Sequence, residues 1–88
     1  MQQAHKKSLL SRLRRIEGQV RGLIRLVEKD TYCIDVITQT SAIKSALSSV
    51  EDLLLENHLE TCASNQIKSG NIKKAKQEIL AVYRLKRK

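Results

Sequence analysis

Both cysteines and one of the two histidines of this 88-residue chain fall in a single stretch, Tyr32 to Cys62. Cys33 stands at its start, and His58-Leu59-Glu60-Thr61-Cys62 closes it. Thiolates and imidazoles are ligands for soft and borderline metal ions, so metal binding is the first chemistry this set offers. His58 and Cys62 are four residues apart, which on a helix places both on one face, within reach of one ion. Cys33 lies 25 residues before His58. At ~1.5 Å of rise per residue that is ~37 Å of helix, against metal–ligand bonds of ~2.0–2.3 Å. The three cannot share an ion within one straight helix. Two copies packed antiparallel would bring Cys33 of one to His58 and Cys62 of the other, and a twofold dimer then forms two identical intersubunit sites. Such ligands select Cu(I), zinc or iron–sulfur clusters. Structural zinc takes a fourth ligand that the sequence does not obviously supply, so trigonal Cu(I) fits best on ligand count.

The elements that must position these residues are helices. The chain has no Pro, Trp or Phe, and its glycines are Gly18, Gly22 and Gly70. Helix breakers are therefore nearly absent, as are the aromatic residues that sheets favour. Leu9, Leu13, Ile16, Val20, Leu23 and Val27 alternate at spacings of four and three, the seam of a helix packed lengthwise on others. Leu10 and Ile24 widen that seam to a bundle face. Ser11, Gly18 and Gly22 lie almost behind it, and two glycines one turn apart cost a helix enough to suggest a close backbone approach. The first helix should end near Lys29-Asp30-Thr31, where Asp and Thr can cap the next. Val36, Ile43, Leu47, Val50 and Leu54 make the seam of the second helix. Ile67 to Asn71 reads as a C-cap and turn, with Gly70 left-handed. Ile72, Ala75, Ile79, Val82 and Tyr83 then form a short amphipathic helix, with Glu78 beside its apolar stripe and so in need of a partner. We expect one all-α domain over residues 1–88, too small for a large private core and completed by oligomerisation.

Charge is segregated. Net charge is +8, with +6 over residues 1–29, −5 over residues 30–67 and +7 over residues 68–88. Two basic segments flanking an acidic middle suit a polyanionic partner, most simply nucleic acid. No apolar run reaches the ~18 residues of a membrane span, and no signal peptide is visible in the polar, basic start. A cytoplasmic protein with reduced thiols is expected. No acid–base pair stands beside a thiol apart from His58, and no cofactor motif appears, so an enzyme is not expected.

With these residues assembled, the chain resembles the copper-sensing repressors of the CsoR/RcnR family over nearly its full length. The resemblance is carried by Arg12-Leu13-Arg14-Arg15-Ile16-Glu17-Gly18-Gln19-Val20-Arg21-Gly22, by Tyr32-Cys33-Ile34-Asp35-Val36 and by His58-Leu59-Glu60-Thr61-Cys62. It implies a three-helix protomer, an antiparallel dimer with a four-helix-bundle core and a dimer of dimers. It also implies a repressor that binds double-stranded operator DNA in its copper-free form and is released by Cu(I), derepressing copper-efflux genes. Cys33, His58 and Cys62 match the metal ligands. Tyr32 and Glu78 match residues that hydrogen-bond to the free nitrogen of the metal-bound histidine. Arg12, Arg14, Arg15 and Arg21 match the DNA-facing basic positions, with Lys7 nearby as a further DNA-binding candidate.

Relatives with other inducers differ at identifiable positions. Nickel and cobalt sensors use further histidines, one at the extreme N-terminus, where this chain has Met1-Gln2-Gln3. Formaldehyde sensors use a proline at the second position, here Gln2, and persulfide sensors lack the histidine that is His58 here. A thiol-based or other-metal repressor of the same family, or a copper buffer, remains the alternative to a Cu(I) sensor.

Overall fold

The computed structural model describes residues 2–87; Met1 and Lys88, the outermost residues of the two basic ends, lie outside them. The described residues form four α-helices: α1 (Gln3–Glu28), α2 (Cys33–His58), α3 (Ser64–Lys68) and α4 (Ile72–Arg87). A π-helical segment, Leu59–Ala63, joins α2 to α3 with right-handed helical dihedrals at both junctions. The expected all-α, three-helix protomer is therefore what forms, its second helix running on through the π segment and α3. No strand occurs among the described residues. Among them, too, no helix is long and apolar enough to cross a membrane. The chain divides into two compact units, Met1–Leu54 and Leu55–Lys88.

In the first unit α1 packs along α2. The core is Leu9, Ile16, Ile43 and Val50, with Leu23, Ala46 and Leu53 packed against it. Leu9, Ile16 and Leu23 recur every seven residues, as do Ile43 with Val50 and Ala46 with Leu53, so each helix contributes one line of its seam. The other line of α1 is left in solvent. Leu13, Val20 and Val27 are 41%, 39% and 60% exposed, and Leu10 and Ile24 flank them in the open. On α2, Ile37, Leu47 and Leu54 are exposed in the same way. A contiguous apolar stripe of this kind on a small chain marks a surface that another molecule covers.

The turn between α1 and α2 differs from the one expected. Asp30 takes φ 55°. The Asp30 N–H donates to the Val27 carbonyl and the Thr31 N–H to the Leu26 carbonyl, at 3.1 and 3.0 Å. This is a Schellman closure with a non-glycine residue in the left-handed position. Asp30 therefore ends α1 instead of capping α2, and it is the Tyr32 carbonyl that accepts the first bonds of α2, from the N–H groups of Asp35 and Val36.

The second unit closes the same way, with the expected residue. Gly70 has φ 87°. Its N–H donates to the Ile67 carbonyl, while the Asn71 N–H donates to the Gln66 carbonyl at 2.7 Å. The Asn71 carbonyl then starts α4 by accepting from Ala75 N–H. Ala63 and Ala75, each 2% exposed, are the buried residues among those described in this unit. Their small side chains let the π segment, α3 and α4 approach closely.

Candidate metal centre and nucleic-acid face

His58 is the last residue of α2, and it is half-buried. Its Nε2 lies 3.3 Å from Glu78 Oε2 on α4. Glu78 stands beside the apolar stripe of α4 because that position faces the imidazole. A carboxylate only accepts hydrogen bonds, so a proton on Nε2 would suit this contact and leave Nδ1 with the lone pair that binds a metal. An imidazole held in this way is the usual partner arrangement of a metal-ligating histidine. The second carboxylate oxygen is also occupied: Gln66 Nε2 donates to Glu78 Oε1 at 3.4 Å. Sequence reasoning missed Gln66, since a glutamine on a short polar helix carries no spacing signal.

Cys62 sits inside the π segment with an exposed, free thiol. Two hydroxyl groups in and beside the π segment bond back to helix carbonyls. Thr61 Oγ1 donates to the Asn57 carbonyl at 2.8 Å, and Ser64 Oγ donates to the Leu59 carbonyl, five residues back, at 2.9 Å. Thr61 Oγ1 also lies 3.6 Å from Cys62 Sγ. In a regular α-helix the fourth residue leads the first by ~40°. The slower winding of a π turn lowers that lead, and Cys62 stays one turn on from His58.

Cys33 and Tyr32 belong to the first unit. Cys33 is the first residue of α2 and its thiol is exposed and free. Tyr32, just before it, is 69% exposed. Among the described residues no group of three His, Cys, Asp or Glu side chains is gathered closely enough to hold a metal ion.

The basic residues of α1 fall into two environments. Arg12 NH1 donates to Ser49 Oγ of α2 at 3.1 Å. Beside it, Arg12, Arg15, Ile16, Gln19, Ala46 and Ser49 line an open cleft of about 250 Å³. Arg21 instead forms an exposed ion pair with Glu17, one turn earlier, at 3.1 Å. Lys7 and Arg14 are exposed on α1. Ser49 and Glu17 are further residues that charge counting alone did not single out, because their importance comes from which arginine they touch. Gly18 and Gly22 have room around them: a Cβ at either would meet only the tip of Arg21 or Arg25, at 3.9 Å.

Residues 5–84 match the family model described as "Metal-sensitive transcriptional repressor". The chain is 44% identical over 79 residues to the copper-sensing transcriptional repressor CsoR of Bacillus subtilis (strain 168), covering 90% of this chain and 78% of that one. It is 52% identical over 65 residues to the copper-sensing transcriptional repressor RicR of Mycobacterium tuberculosis, covering 74% of this chain and 68% of that one. Among solved structures, the copper-sensing repressor CsoR with Cu(I) from Geobacillus thermodenitrificans NG80-2 superposes with a TM-score of 0.92 at 38% identity, covering 100% of this chain and 92% of that one.

Proposed function

The chain belongs to the metal-sensitive transcriptional repressor family, and from that premise we propose that it is a cytoplasmic Cu(I)-responsive repressor. Its copper-free form holds operator DNA, and copper loading releases that DNA to derepress copper-efflux genes. The single observation that carries the reading is the His58 Nε2–Glu78 Oε2 pairing at 3.3 Å, which leaves Nδ1 as the free nitrogen one turn from Cys62. The donor set fits a soft monovalent ion: two free, exposed thiols and one oriented imidazole. Cys33, which opens α2, is the ligand one subunit lends to the His58 and Cys62 of another, and Tyr32 beside it joins Glu78 in surrounding the imidazole.

When bound, Cu(I) supplies a compact soft centre that draws two thiolates and an imidazole together. The chain's own residues do the rest. The solvent-exposed lines of α1 and α2 pack against a second copy to form an antiparallel four-helix core, and two such dimers make a tetramer with four sites. Lys7, Arg12, Arg14, Arg15 and Arg21 face operator phosphates, with Arg12 oriented by Ser49. Arg21 exchanges its exposed pairing with Glu17 for a phosphate at little cost, since ion pairs of that kind contribute only ~0–1 kcal/mol. His58 passes the state of the site to α4 through Glu78. Coupling is reciprocal: operator DNA weakens copper binding by the factor by which copper weakens operator binding. Moving the population from 99:1 to 1:99 takes about 5.5 kcal/mol of differential affinity.

The test is an anisotropy titration of the metal-free protein on its own promoter, repeated with Cu(I), Ni(II), Zn(II), persulfide and formaldehyde. Release by Cu(I) alone is expected. Release by persulfide instead would assign the two exposed thiols a thiol-switch role. Copper binding with no operator affinity in either state would make the protein a copper buffer.

A further inference from the structure

We propose that Gln66 is a positioning residue for the copper response, acting on His58 through Glu78. The inference rests on the reading of His58 as a metal ligand. Glu78 is a bridge with both oxygens engaged: Oε2 is 3.3 Å from His58 Nε2, and Oε1 accepts from Gln66 Nε2 at 3.4 Å. These two partners sit on opposite sides of the π segment, His58 at the end of α2 and Gln66 within α3. The carboxylate of α4 is therefore held at two points along one helical rod. With one point alone it could swing about its side-chain torsions while keeping its contact with the imidazole. With two, a displacement of the imidazole must be passed to the backbone of α4.

The amide of Gln66 has one workable orientation. Turned the other way, its carbonyl oxygen would face a carboxylate oxygen with no proton between them. In the orientation found, Gln66 Oε1 is buried and has no hydrogen-bond partner. A buried acceptor left unpaired is costly, and a glutamine whose role was only to be polar would turn that oxygen to solvent. Gln66 instead keeps its N–H on Glu78. The Gly70 closure of α3, in which the Gln66 carbonyl itself accepts from Asn71 N–H at 2.7 Å, fixes the backbone from which this side chain projects.

The test uses full-length Gln66→Met, which keeps the length and helix propensity of the side chain and removes the amide. Operator affinity is measured by anisotropy with and without Cu(I), and Cu(I) affinity by competition with a chelator. The expected result is a loss of about tenfold in the ratio of copper-free to copper-loaded operator affinity, equivalent to about 1.4 kcal/mol. Copper-free operator affinity and Cu(I) affinity in the absence of DNA stay within about twofold of the original protein. In a double-mutant cycle, Gln66→Met adds nothing to the loss already caused by Glu78→Gln, because both act on one bridge. An unchanged ratio overturns the proposal, as does a loss that adds fully to that of Glu78→Gln. A fall in Cu(I) affinity equal to the fall in the ratio also overturns it, by making Gln66 part of the binding site itself. Failure of the unsubstituted protein to release its operator with Cu(I) marks failure of the functional reading on which the inference rests, and is seen before any variant is made.

Discussion

Replacing Gly18 and Gly22 together by alanine should stabilise the protein by about 2 kcal/mol. Each glycine in a helix interior costs roughly 0.8–1.0 kcal/mol relative to alanine, through the backbone freedom it loses on folding. That gain is realised only if the added methyl finds space. A Cβ at position 18 would lie 3.9 Å from Arg21 NH2, and one at position 22 would lie 3.9 Å from Arg25 NH2, an ordinary contact with the mobile end of a side chain. The two methyls share no neighbour, so the effects should add. For a chain of this size, 2 kcal/mol corresponds to a rise of about 10 °C in the unfolding midpoint. Urea and thermal unfolding followed by circular dichroism, at one fixed protein concentration because the protein is proposed to self-associate, would measure it. A variant that is less stable than the original would refute the reasoning. It would mean that the row behind the α1 seam is pressed against another subunit and not open. A variant that is more stable yet binds operator poorly would place that row against DNA.

Three further outcomes are expected. Asp30→Gly should stabilise by up to about 1 kcal/mol, because φ 55° is strained for any residue with a Cβ, whereas Asp30→Val should destabilise by more than that; urea midpoints compare the two. Ala75→Leu should cost about 1–3 kcal/mol, since Ala75 is 2% exposed and the extra carbons have nowhere to go without parting α4 from its neighbours; amide hydrogen exchange along α4 would report it. Cys33→Ser should abolish tight Cu(I) binding, measured by chelator competition, while leaving helix content and copper-free operator binding intact, because the exposed thiol contributes nothing to the core.

Much of the fold was legible in the residues, for physical reasons that can be named. Leu9, Ile16 and Leu23 recur at a heptad interval because only that interval keeps them on one face of a helix, and they are the residues that meet Ile43, Val50 and Leu53. Gly70 could be assigned its left-handed turn because no other residue type adopts it so freely. Asp30 shows the opposite case. Nothing in Lys29-Asp30-Thr31 says which residue turns the chain, and an aspartate suits both a left-handed closure and an N-cap, so tertiary geometry decided between them. The π segment left no periodic trace either, since five residues are too few to shift a hydrophobic stripe. At the candidate site, the unexpected position of Glu78 beside an apolar stripe was a legible sign of a partner. Gln66 was not legible, because its significance depends on a carboxylate twelve residues away across a turn.

The π segment also bears on how this protein can change length. A π turn closes its rings with one residue more than an α turn. Removing one residue between Leu59 and Ala63 would therefore restore continuous α-helical bonding, with the residues before and after it keeping nearly their present faces. The same deletion in the middle of α2 would rotate every later side chain by about 100° and break the register of the whole chain. What would change at the π segment is the angle and spacing of His58 relative to the residues that follow, Cys62 among them. The helix thus contains a place where ligand geometry can drift by insertion or deletion while the surrounding architecture stays put; one proposed metal ligand, Cys62, lies within it and another, His58, directly precedes it.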